Sequence, residues 1–233
     1  MSHLHIPDGL LPLPIVAAGL AITAVLLLVA SRRLARLEGA RVAPRIAVLS
    51  ALMLVAMGLP LPVLGYHVNL TVLTGIIAGP AAGFVAVFIA NLILSLTAHG
   101  GITVLGLNAL IGGVEVTLGW LLWKAVRRAL PRTRAFAAAA IAVALALAVS
   151  TFAMLAVVAS SGADPDLVLG GHVHAAEEAH REALATPLRT FAAVVLSTAA
   201  VGWAVEALVV GALVEFIWRV RPELLGADEG RGA

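Results

Sequence analysis

The sequence predicts an all-α fold, a polytopic membrane bundle of seven transmembrane helices. Three observations lead there. Of 233 residues, 61% are hydrophobic and 12% charged, where soluble domains average roughly 45–50% and about 25%; mean hydropathy is +1.06. The apolar residues fall in runs long enough to cross a bilayer, which takes about 20 of them. Lysine and arginine gather in the gaps between alternate runs, as they do in short cytoplasmic loops.

The runs follow in order. Residues 11–30 form the first and 46–64 the second. Tyr66 opens a short run, 66–78, that stops at Gly79-Pro80, a pair that reads as a turn. The remaining runs are 81–98, 102–123, 136–159 and 188–218. The last is long enough to tilt or to project beyond the bilayer. Alanine, leucine, valine and glycine dominate, which suits helices in close contact through small residues. The chain, 1–233, reads as one transmembrane domain, with a terminal segment at 1–10 and a long loop at 160–187.

The charges set the topology. Of fifteen Lys and Arg, five lie between the first two runs (Arg32, Arg33, Arg36, Arg41, Arg45) and five in 124–134; Arg219, Arg221 and Arg231 follow the last run. These segments belong in the cytoplasm, so the amino terminus is outside and the carboxy terminus inside an inner cell membrane. Gly65 and Gly100 then both fall outside, and the apolar chain between them crosses twice. The run 66–78 is therefore a crossing, or a half-helix buried against protein, which a bilayer tolerates. The same parity places all seven histidines on the outer side: His3, His5, His67, His99, His172, His174 and His180.

Several classes of function are excluded. There is no cysteine, hence no disulfide, iron–sulfur cluster or thiolate metal site. GxxxxGK[ST] is absent, so any ATP must be bound by another subunit. HExxH and HxxEH are absent, Ser160-Ser161 has no base placed beside it, and the chain is expected not to be an enzyme. No basic, aromatic-rich surface suits nucleic acid.

Histidine is the commonest metal ligand. Three groups meet at the outer face from distant parts of the chain: His3 and His5, His67 after Gly65-Tyr66, and His99 in the turn Ala98-His99-Gly100-Gly101. Nitrogen donors without thiolates suit nickel(II), copper(II), cobalt(II) or zinc(II). Amphipathy alone also brings histidines to membrane interfaces. The loop sequence GGHVHAAEEAHRE reads as a solvated acidic loop or as a collector that concentrates cations. Three acids lie within runs, each a functional hypothesis by its position. Glu215, near the inner end, snorkels. Glu115 and Glu206 are deeper and either pair with Asn91, Asn108, Thr117 or Thr198, or carry protons in a secondary divalent-metal carrier.

The opening HIPDG, then GYHVN and GPAAG, the turn HGGITVLGLNAL and the closing AVEALVVGALVEFIWRVRPELL together resemble the CbiM/NikM family. Its members are the substrate-binding membrane components of energy-coupling factor transporters for cobalt and nickel. The likeness spans nearly the whole chain, and HIPDG is its most specific part. It implies seven helices and three kinds of partner: a transmembrane coupling protein, two cytoplasmic ATPase subunits and often a small accessory membrane protein; membrane lipid is expected as a further partner because the basic loops 32–45 and 124–134 suit anionic headgroups. It implies no resident cofactor, the ion being cargo. It implies ion binding by the terminal amine, a near-terminal histidine and a later one. By motif His5 matches the first and His67 the second, with His99 close by. Nickel and cobalt share these donors, and a planar site favours nickel.

One departure bears on the ligand set. The family pattern places the histidine second, whereas Met1-Ser2-His3-Leu4 precede His5 here. Either these four residues are trimmed, or His3 takes the terminal role, or His5 binds through imidazole alone with His3, His67 and His99. The expectation is a role shared by His3 and His5. Pro7-Asp8-Gly9 is expected to turn the segment back among the outer helix ends.

Overall fold

A computed structural model describes residues 8–9, 11–36, 42–58, 67–97, 101–130, 134–161 and 188–225. The described residues are helical and contain no strand. They form α1 (Leu13–Ala35), α2 (Val42–Gly58), α3 (Thr71–Leu96), α4 (Leu105–Ala129), α5 (Ala135–Ser161), α6 (Leu188–Val220) and a short 3-10 turn, Pro222–Leu225. Five helices are long and apolar enough to cross a membrane; α2 is apolar but has 17 residues, about 25 Å at 1.5 Å per residue. The described residues thus give six helices where the sequence leads one to expect seven, because the runs 66–78 and 81–98 enter one element, α3. The expected loop at 160–187 lies, from residue 162 on, outside the described residues.

α3 is nevertheless not a straight rod. Gly79 has φ 74° and ψ 176°, a region essentially confined to glycine, and Pro80 beside it has no amide hydrogen to continue the helix. The arms 71–78 and 80–96 fold back on each other. A Cβ placed on Gly83 would lie 3.6 Å from the Gly75 Cα, whereas a straight helix would hold these residues about 12 Å apart. The Gly79-Pro80 turn read from the sequence is therefore a hairpin tip, beside Trp120 of α4. The first arm, eight residues and about 12 Å long, covers less than half the roughly 30 Å of a hydrocarbon core. This is the half-helix form of the short run rather than a full crossing.

Small residues let these elements touch. On Gly75 a Cβ would meet the Val116 carbonyl oxygen at 2.3 Å, so the first arm lies backbone to backbone against α4. α1 lies alongside α4 in the same way, Gly106 against Leu20 and Gly19 against Leu107, and the Thr23 hydroxyl donates to the Gly106 carbonyl at 2.8 Å. Close approach through small residues is the usual packing in lipid, where apolar burial alone gives no drive. Phe152, Val25, Leu208 and Phe216 are among the large apolar residues left exposed, as a lipid-facing surface requires.

The bundle has two distinct ends. Leu11, Val104, Leu107, Met154, Val158 and Val195 cluster at one, joining the starts of α1, α4 and α6 to the end of α5. At the other, Trp123 and Trp218 meet edge to face at 6.4 Å. Arg127 lies 4.4 Å above the Trp218 ring and Lys124 4.3 Å above Trp120. The basic last turns of α1 (Arg32, Arg33), α4 (Arg127, Arg128) and α6 (Arg219) share this second end. Glu215 is here too. It accepts from the Phe136 amide at 3.0 Å and pairs with Arg219 at 2.8 Å, in keeping with the interfacial place expected of it.

Candidate functional site

His67 opens the non-helical stretch 67–70 that leads into the first arm of α3. The stretch ends deep in the bundle: Thr71 packs beside Gly112 and bonds to Glu115, between a third and a half of the way along α4. Leu70, the residue before the helix, has φ 62° and ψ 14° and offers no side-chain cap. A left-handed conformation costs a non-glycine residue roughly 1–2 kcal/mol and persists where surrounding contacts over-determine it.

Those contacts come from two buried carboxylates. Glu206, on α6, is fully buried, and Glu115, on α4, is 1% exposed. The amides of Leu70 and Asn69 donate to the two oxygens of Glu206 at 3.0 and 3.3 Å. Glu206 thus supplies at the head of the arm the negative charge that a helix N-terminus favours. Glu115 holds the side chains: the Asn69 amide group donates to Oε2 at 2.8 Å, the Thr71 hydroxyl donates to the same oxygen, and Ser150 of α5 donates to Oε1 at 2.7 Å. Two helices, α4 and α6, therefore hold residues 69–71, and α5 braces Glu115 from behind. The His67 Nδ1 and Asn69 Oδ1 atoms are buried within this assembly.

Asn69, Thr71 and Ser150, none of them among the partners expected from the sequence, bond the acids. Asn91 turns its amide group back to the Val87 carbonyl at 3.0 Å. The signal for Asn69 and Thr71 was their place directly after His67, at the mouth of a short helix with no cap of its own. Ser150 gave none, since a lone serine in an alanine-rich helix more often bonds its own backbone, as this one also does to Leu147.

Asp8 is the second anchor. Its carboxylate accepts from the Ile102 amide at 3.0 Å, the Thr103 amide at 2.8 Å and the Thr103 hydroxyl. The Thr103 hydroxyl, then that residue's amide and its neighbours', hold the Asp8 carboxyl below its ordinary value. A Cβ on Gly101 would meet Asp8 Oδ1 at 2.5 Å, so the glycine of this turn makes room for the carboxylate. The turn at Asp8-Gly9 is thereby pinned to the turn that enters α4.

Of the predicted ligands His3, His5, His67 and His99, only His67 lies within the described residues; His172, His174 and His180 also lie outside them. Among the described residues no three His, Asp or Glu converge as a metal cluster. The geometry supplies one half-buried imidazole, with its Nδ1 atom inside the bundle, just ahead of a firmly held segment, and a second segment, at Asp8, tied to the start of α4.

No curated protein matches the chain. Two solved structures do. One, described as a transition metal transporter, is 21% identical with a TM-score of 0.73, over 98% of this chain and all of that one. The other, a truncated transition metal transporter, is also 21% identical, with a TM-score of 0.70 over 93% of this chain and 99% of that one. At this identity they share the fold. The family model for the cobalt uptake substrate-specific transmembrane region matches residues 5–224, which takes in HIPDG, His67, both buried acids and all but the last residue of the 3-10 turn. The chain belongs to this CbiM family, as a transmembrane component of metal uptake.

Proposed function

We propose that the chain captures cobalt(II) or nickel(II) at the outer face of the cell membrane and hands it to an ATP-driven energy-coupling factor importer. His67 and the nitrogens of the terminal segment, His5 with His3, bind the ion, and His99 stands close by. A transmembrane coupling protein, two cytoplasmic ATPase subunits and a small accessory membrane protein complete the transporter. The observation that carries this reading is the broken helix. A non-helical segment bearing a histidine ends at a half-helix inside the bundle, and discontinuous helices are how many transporters build ion sites within a membrane. Clustering of the basic last turns at the far end of the bundle supports an outward amino terminus.

The same geometry argues against a proton-coupled carrier. Both oxygens of Glu206 and both of Glu115 are engaged in holding residues 69–71, so neither acid lines an open proton path among the described residues. The test is a titration of the purified chain with nickel(II) and cobalt(II), repeated with His67→Ala. Binding is expected to be lost in the variant, and binding unchanged there refutes the site. Uptake into vesicles is expected only with the coupling and ATPase subunits present; uptake by the chain alone would restore the carrier. Mass spectrometry of the mature terminus, with His3→Ala, tests the shared role of His3 and His5. An intact terminus and unaltered binding would remove His3 from the site.

A further inference from the structure

Glu206 is remote from His67 in sequence and sits on another helix, yet it touches the backbone that carries it. Its two oxygens take the amides of residues 69 and 70, two and three positions after the imidazole. Both amides converge on this one carboxylate, and the left-handed Leu70 then turns the chain into the helix. The side chain is fully buried, so water does not compete for these bonds, and a charge removed from solvent in this way needs such partners. α6 packs mainly on α5. The Glu206 bonds are thus a direct tie between α6 and the segment that presents His67.

We propose that Glu206 is a positioning residue for ion capture: it fixes the direction in which His67 enters the site, and it makes that direction depend on where α6 lies. This rests on the capture reading above. Glu115 steadies the same stretch through side chains. Glu206 sets its backbone course, and the backbone course is what aims a ligand. Displacing α6 against α4 would draw the two amides away from the carboxylate and turn His67 with them.

The test uses the purified full chain, with nickel(II) as probe. Wild type, Glu206→Gln, Glu206→Asp, Ser150→Ala and His67→Ala are compared for affinity, for the absorption spectrum of the nickel-saturated protein, and for thermal unfolding. A glutamine presents one acceptor oxygen and faces the other amide with an NH2 group. Glu206→Gln is expected to weaken nickel by roughly 10–100-fold, as loss of a group that orients a metal ligand does, and to shift the spectrum. Ser150 reaches Glu115 but not residues 67–70, so Ser150→Ala is expected to keep both affinity and spectrum. Wild-type affinity in Glu206→Gln overturns the proposal, and so does weakened affinity with an unchanged spectrum. If Glu206→Gln fails to fold, Glu206→Asp decides. It keeps the charge and shortens the reach, and wild-type affinity and spectrum there overturn the proposal equally. His67→Ala separates the two levels. Lost binding there with an unaffected Glu206→Gln leaves capture standing and removes the positioning role, whereas full binding by His67→Ala removes both.

Discussion

Replacing Glu115 by glutamine should be nearly silent, whereas replacing it by alanine should be severe. Oε2 of Glu115 receives the Asn69 amide group and the Thr71 hydroxyl, and Oε1 receives the Ser150 hydroxyl. A glutamine can turn its carbonyl oxygen to Asn69 and Thr71, since an amide oxygen accepts two hydrogen bonds. Its NH2 group then faces the Ser150 oxygen and donates to it, while the Ser150 hydroxyl turns to the Leu147 carbonyl, already within 3.0 Å. These three partners are kept and a buried charge disappears, a change that is often neutral or stabilising. Alanine leaves Asn69 and Thr71 without their acceptor, at about 1–3 kcal/mol for each stranded donor and so roughly 2–6 kcal/mol together. For a chain of this size that is a melting point lower by on the order of 10 °C.

The assay is thermal unfolding of the three proteins in one detergent, followed through tryptophan fluorescence, with metal uptake in the assembled transporter measured alongside. Equal destabilisation by glutamine and alanine would refute the hydrogen-bond assignment. A glutamine variant that is stable and binds the ion, yet transports none, would show that the carboxyl itself carries protons.

Three further outcomes follow from the packing. Gly75→Ala should be destabilising by about 1–3 kcal/mol, as overpacking of a tight core is, because its Cβ would press on the Val116 carbonyl at 2.3 Å; Gly58→Ala, whose Cβ meets nothing within 4 Å, should leave the melting point unchanged or higher. Asp8→Ala should weaken ion binding while leaving the melting point close to wild type, since the aspartate is exposed and joins the terminal segment to the turn at 102–103; equal affinity in the two proteins would show that this tie does not matter to capture. Because the folded Asp8 carboxyl titrates below its ordinary 3.8, its small contribution to stability is complete above that value and fades as pH falls through the lowered one; the melting points of Asp8→Asn and wild type should therefore differ only slightly, by a constant amount between pH 5 and 8, and converge in stronger acid.

The legible part of this molecule is what local composition decides. Apolar runs bounded by Gly, Pro and Arg located the helices, since a helix in lipid must satisfy its own backbone and needs a set length. α2 begins at Val42, before its apolar run, since Arg45 at its head is accommodated at the basic end of the bundle. Gly79-Pro80 marked the hairpin tip, because one residue supplies the positive φ and the other stops the helix. What local composition could not decide was pairing. Glu206 meets Asn69 and Leu70 across 137 and 136 positions, and Asp8 meets Ile102 and Thr103 across 94 and 95. An acid in an apolar run announces that it needs donors; it does not say which helix brings them. By type Asn69 stood out no more than Asn91 or Asn108, and the hairpin, by turning the first arm back into the bundle, placed it within reach of Glu115.

That hairpin also explains why the two acids belong in a protein that otherwise avoids charge. A helix beginning inside a bundle exposes its first amides where no water can reach them, and each unsatisfied amide there costs several kcal/mol. A serine or aspartate at the helix head would be the ordinary remedy, but Leu70 fills that place. Glu206 from α6 accepts the Asn69 and Leu70 amides from outside the helix, and Glu115 from α4 holds the Asn69 and Thr71 side chains beside them. The consequence is mechanical. A cap within the segment would let the His67 stretch hold its shape wherever the neighbouring helices went. Caps borrowed from two other helices make that shape conditional on their arrangement. On the capture reading proposed above, the chain must hold its ion firmly in one state and let it go in another, and a borrowed cap can do both. Cross-linking α6 to α4 through engineered cysteines should therefore keep nickel bound in the assembled transporter when ATP is added, while the reduced form releases it; release from the cross-linked form would show that the His67 segment does not depend on α6.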